Sequence, residues 1–105
     1  KKGAENHITK SLGILQEDGV YAFFLYQASR GERERAGADA LKDLGRKLLA
    51  EPTVGITSFG ATSDPLAATR ELANDLDQLL LAKRLLEQAL IYARYHAKAL
   101  PGGGT

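Results

Sequence analysis

The chain has 105 residues, 44% apolar and 26% charged, with 14 basic against 13 acidic side chains and a net charge of +1. That length sets a single domain, that apolar fraction excludes a disordered chain, and so small a basic excess excludes gripping nucleic acid unaided. The absence of cysteine removes disulfides, thiolate metal sites and cysteine nucleophiles together and fits a cytoplasmic setting. No apolar run approaches the roughly 20 residues that span a bilayer, and "KKGAENHITK" holds no apolar signal-peptide core. With Lys1 in first place and no Met anywhere, a trimmed or processed start is expected.

From Glu5 to Glu17, Ile8, Leu12 and Leu15 recur at helical spacing, while Asn6, Thr9, Lys10 and Gln16 take other faces. This predicts a first amphipathic helix. Asp18-Gly19 interrupts it, and Asp-Gly is also a hairpin signal. The stretch that follows, "VYAFFLYQ", is apolar on both alternate faces. As a strand it would need a sheet covered on both sides, and no second run of the kind is there to pair with it. A buried helix from Val20 to Ser29 is therefore expected, with Phe23, Phe24 and Leu25 in the core and Tyr21 and Tyr26 as polar handles.

Arg30-Gly31 closes that helix. In "ERERAGADALKDLGRKLLAE", Gly37, Leu41, Leu44 and Leu48 form one stripe at helical spacing. Glu32 with Arg35, Asp39 with Lys42 and Asp43 with Lys47 are spaced for weak ion pairs on a solvated face. "EPTVGITSFGATSDP" (Glu51–Pro65) reads as a loop, with Pro at both ends and Gly55 and Gly60 inside. A phosphate-cradling loop needs a Lys and a helix start at set spacing from its glycines, and neither is present. Ile56 and Phe59 are expected to pin this loop to the core, or Phe59 to meet a partner.

Asp64-Pro65 is a helix start, Asp as N-cap and Pro at the first helical position. The pattern runs to Leu100, where Pro101 and three glycines stop it; as one helix it would be about 50 Å long. Leu72, Leu79, Leu86, Ala93 and Leu100 repeat at heptad spacing, with Leu76, Lys83, Leu90 and Ala97 in the companion positions. Such a seam packs on its own bundle or pairs with another chain. The fold class that follows is all-α: a compact bundle of about four helices with a long C-terminal helix. One domain covers residues 1–105, with a loop at 51–64 and a flexible tail at 101–105.

Charge along the last helix is polarised. Asp64, Glu71, Asp75 and Asp77 dominate its first part, Lys83, Arg84, Arg94 and Lys98 its last. The helix dipole acts only over the terminal turn, so it does not account for Asp77, Lys83 or Arg84. A basic end presenting Lys83, Arg94 and Lys98 near Tyr92 and Tyr95 suits a phosphate backbone. Catalysis finds less support. His7 and His96 stand near opposite ends of the chain, "NDLD" (Asn74, Asp75, Asp77) spreads its side chains round a helix, and no Ser sits in a nucleophile elbow. Neither enzymatic activity nor a metal or cofactor is expected.

Read in order, a helix, "GVYAFFLYQASR", a charged helix, a loop and "LLLAKRLLEQALIYARYHAKAL" resemble the small all-helical subunit of type III-B CRISPR (Cmr) effector complexes. Gly19, Ala22, Phe23, Ser29 and Arg30 fit that family's buried helix, and Ala89, Leu90, Tyr95 and Lys98 its last one. The chain departs from it in having no Trp and in the loop around Gly55–Ser63. The resemblance implies a non-catalytic structural subunit of an antiviral-defence ribonucleoprotein. Such a subunit packs on other protein subunits and on copies of itself, and presents basic side chains to RNA. Lys83, Arg84, Arg94 and Lys98 would be the RNA-binding residues, with Lys42 and Arg46 as a second set and Tyr92, Tyr95 and Phe59 at a partner interface. The alternative is a helical oligomerisation or adaptor module that binds no nucleic acid.

Overall fold

A computed structural model of the chain describes residues 2–51 and 64–99. Among these residues there is no strand, and five α-helices follow one another: α1 (Lys2–Asp18), α2 (Val20–Ala28), α3 (Arg35–Ala50), α4 (Pro65–Leu72) and α5 (Leu76–Ala99). A 3-10 turn, Glu32–Glu34, leads into α3. The all-α expectation holds, with one helix more than the four expected. No described helix is long and apolar enough to cross a membrane. Residues 52–63, expected as part of a loop and including Ile56 and Phe59, and residues 100–105 lie outside the described residues.

The α1–α2 joint explains why Asp18-Gly19 is not a hairpin. Gly19 has φ 95°, a conformation that glycine alone adopts cheaply. Its N–H donates to Leu15 O at 3.0 Å and its carbonyl accepts from Phe23 N at 3.1 Å. One residue thus ends the first helix and starts the second, turning the chain so that α1 and α2 pack together. Phe23 and Phe24 are both fully buried, their rings edge to face with centroids 5.0 Å apart. Leu25 is different: expected in the core, it is 47% exposed. On a helix only one face of "VYAFFLYQ" can point inward, and Val20, Phe23, Phe24 and Gln27 occupy it.

Around α2 the other elements close. Leu15 of α1, Leu49 of α3, Leu72 of α4 and Leu86 and Leu90 of α5 are buried in one cluster with the two phenylalanines. The face α3 buries is Ala38, Leu41, Gly45 and Leu49, so the expected stripe of Gly37, Leu41, Leu44 and Leu48 is displaced. Gly45 is what sets the displacement. A Cβ there would lie 3.0 Å from Phe24 Cζ and 3.1 Å from Leu86 Cδ2, so α3 approaches α2 and α5 through its bare backbone. The ion pairs on α3 also differ from the expected set: Arg35 pairs with Asp39 and Arg46 with Asp43, each at 4.0 Å.

The expected single helix from Pro65 to Leu100 is broken at Ala73–Asp75. Asn74 N donates to Glu71 O at 3.1 Å and Asp75 N to Leu72 O at 3.0 Å, the tightened pattern of a helix end. Asp75 then caps α5: its Oδ1 accepts from Gln78 N at 3.1 Å and its carbonyl from Leu79 N at 2.9 Å. Asp followed three positions later by Gln is a capping-box pair, and here it outweighs the heptad pattern that runs across it. The heptad seam is thereby divided. Leu72 belongs to α4, while Leu79, Leu86, Leu90, Ala93 and Ala97 face the chain's own core, so the seam is spent within the bundle. At the other break, Asp64 caps α4 as expected, its side chain accepting from Leu66 N at 3.2 Å with Pro65 behind it.

Candidate functional site

The long helix α5 carries most of the residues singled out for RNA. At about 100° per residue, Lys83, Arg94 and Lys98 fall along one flank of it, and Arg84 stands further out toward solvent. Lys83 and Arg94 are half-buried, Arg84 and Lys98 exposed. Lys98 Nζ lies 3.7 Å from Glu5 Oε2, tying the end of α5 to the start of α1. Lys83 lines a groove of about 760 Å³ between the α1–α2 joint, α4 and α5, where Glu17 and Asp18 are its acidic neighbours.

The aromatic residues do not join this flank. Tyr92 stands about 180° around the helix from Lys83. It is 82% exposed, and Tyr95 is 66% exposed. Together with His96 and Ala89 of α5, Ile8 of α1 and Leu44 of α3, the two tyrosines line a second groove of about 790 Å³. Lys42 and Arg46 lie on α3, and Arg46 Nε is within 4.0 Å of Asp43 Oδ1. The structure thus brings Lys83, Arg94 and Lys98 into one row. Tyr92 and Tyr95 belong to a separate groove and the α3 pair to another helix, and Phe59 falls outside the described residues.

A polar cluster inside the bundle escaped the sequence reading. His7, Ser11 and Gln27 are all buried. Gln27 Nε2 donates to Ser11 Oγ at 2.9 Å, and Gln27 Oε1 lies 2.8 Å from His7 Nε2. With the amide set this way its oxygen accepts, so His7 Nε2 is the donor. The other ring nitrogen, Nδ1, is 3.6 Å from Glu34 Oε2 and has no hydrogen-bond partner among the described residues. The imidazole stacks on Tyr26 at 5.7 Å between centroids, and Arg30 covers the same phenol at 4.0 Å while reaching Glu34 Oε1 at 3.5 Å. Ser29 Oγ and Arg30 Nε both donate to Tyr26 O, at 2.9 and 3.2 Å. Ser11 is itself fully buried. What it does is fasten α1, α2 and the Glu32–Glu34 turn together. The signal was legible: His7 and Ser11 share a helical face with Ile8, Leu12 and Leu15, so polar groups on that stripe needed a buried partner.

No group of His, Asp or Glu side chains among the described residues could hold a metal ion. Comparison with known proteins found no matching family model, no matching curated protein and no matching solved structure.

Proposed function

We propose that the chain is a non-catalytic structural subunit of an RNA-guided ribonucleoprotein of the CRISPR type, cytoplasmic, packing on partner subunits and touching RNA backbone through one flank of α5. The observation that carries this reading is the row of cations on that flank. Lys83, Arg94 and Lys98 share it and Arg84 extends it into solvent, an arrangement that meets successive phosphates without reading bases. A net charge of +1 suits a subunit whose neighbours supply the remaining phosphate contacts.

The test is purification of the tagged chain from its source cells at low salt, with protein identification by mass spectrometry and extraction of nucleic acid. Guide-type RNA and larger subunits should come down with the wild type, and Arg84→Glu/Arg94→Glu should lose the RNA. Full RNA recovery by that double variant would overturn the reading.

A second reading, an oligomerisation or adaptor module without nucleic acid, is favoured by a specific observation. Lys98 is paired with Glu5 and Arg46 with Asp43, so part of the cationic set is answered within the chain itself. The same purification decides between the two, since an adaptor would bring down protein and no RNA.

A further inference from the structure

The face of α5 turned away from the core is apolar where a solvated helix would be polar. Leu76 is 66% exposed and Leu80 55%, and Leu81, Ile91, Tyr92 and Tyr95 are exposed beside them. The division of the heptad seam makes this informative: among the described residues the inward face supplies the core, and the exposed apolar residues of α5 lie outside that core cluster.

The order of these residues along the helix is close to palindromic about position 86. Leu80 mirrors Tyr92, Leu81 mirrors Ile91, Arg84 mirrors Gln88 and Asp77 mirrors Tyr95. The charges follow the same rule with opposite sign, Asp75 and Asp77 at one end and Arg94 and Lys98 at the other. We infer that α5 pairs with α5 of a second copy of this chain, antiparallel, about a two-fold axis near residue 86. In that arrangement Leu80 meets the partner copy's Tyr92 and Leu81 its Ile91, and Leu76 lies beside its His96 ring. Tyr95 can donate its hydroxyl to the partner copy's Asp77 carboxylate, and each acidic end lies beside a basic end. A parallel pairing would set like charges side by side, which is unfavourable. A two-fold interface needs one surface complementary to itself, and the mirror order supplies it. The pairing sets Arg84 beside the partner copy's Gln88, so in the paired form the cations left on the flank are Lys83, Arg94 and Lys98. Ile91→Glu alters none of these and so tests the pairing apart from RNA contact.

Sedimentation of the purified full chain over a concentration series gives the first reading: the mass should rise from one chain to two. Ile91→Glu and Asp77→Lys should each weaken the association by at least about tenfold while far-UV circular dichroism and melting show the fold intact. The chain has no native cysteine, so single cysteines report orientation directly. With a short bis-maleimide, Gln88→Cys should cross-link to itself. Tyr95→Cys should not, because its two copies would be roughly 27 Å apart along the antiparallel pair. A single-chain mass at every concentration, whatever else covers the stripe, would overturn the inference. So would equal cross-linking of both cysteine variants, which marks a parallel pair, or undiminished association of Ile91→Glu.

Discussion

Gly45 stands against the ring of Phe24 so closely that a Cβ on residue 45 would come within 3.0 Å of Phe24 Cζ. Both sit in the core, with Leu86 closing the third side. Gly45→Ala sets two effects against each other. Alanine in place of glycine in a helix interior favours folding by about 1 kcal/mol. The inserted methyl meets Phe24 and Leu86, both buried in the core, and overpacking of this kind costs roughly 1–3 kcal/mol. The expected result is a net loss of about 1 kcal/mol, read from the urea midpoint. A midpoint above wild type would show that α3 can move away from α2.

The polar triad predicts an asymmetry. Gln27→Leu leaves the His7 Nε2 donor and the Ser11 hydroxyl buried without their partner, at a cost of roughly 2–4 kcal/mol. Replacing all three, His7→Leu with Ser11→Ala and Gln27→Leu, removes the need together with the partner and should return stability to within about 1 kcal/mol of wild type. If the triple variant is as damaged as the single one, the triad contributes through shape instead of hydrogen bonding.

Asp75 is the cap of α5. Asp75→Ala should cost about 1 kcal/mol and Asp75→Asn much less, because asparagine keeps an acceptor at the N-cap. Thermal melts of the two variants side by side check this. Equal loss in both would assign the effect to charge instead of capping.

For RNA the discriminating quantity is salt dependence. Each phosphate contact removed should flatten the plot of log affinity against log salt by about 0.7 for a single strand. Arg84→Ala and Arg94→Ala are expected to do so singly and additively. Tyr92→Ala, on the far flank, should leave the slope unchanged. A slope altered by Tyr92 and not by Arg84 would move the contact to the aromatic groove.

Much of the fold was legible because its signals are local. Asp64-Pro65 starts a helix by satisfying the first backbone donors, and Asp18-Gly19 marks a break wherever it occurs. The break at Ala73–Asp75 was hidden because apolar spacing continues through it from Leu72 to Leu79. The N-cap signature of Asp75 with Gln78 three positions on is the better guide there, because it marks where the backbone donors of a new helix find a partner. Leu25 and Leu44 show a different limit. Both are apolar enough for a core, and only the packing of α2 and α3 against their neighbours leaves them outside. The site divides in the same way. Shared flank position of Lys83, Arg94 and Lys98 follows from helical geometry alone, whereas the Lys98–Glu5 pair joins opposite ends of the chain and has no local signature.

The stop at Ala73–Asp75 also decides which molecule α4 belongs to. α4 packs on α2, and α5 runs along α1. Joined without interruption, residues 65–99 would make a rod of roughly 52 Å, longer than the 42 Å greatest extent of the molecule. Such a rod would lift α4 from its place on α2, and the vacated place on a neighbouring molecule would be the nearest surface of matching shape. A variant made to favour helix at Asn74 and Asp75 is therefore expected to trade α4 with its neighbour, as hinge variants do in domain swapping, and gel filtration at a concentration where the parent runs as a single chain would show it as a dimer.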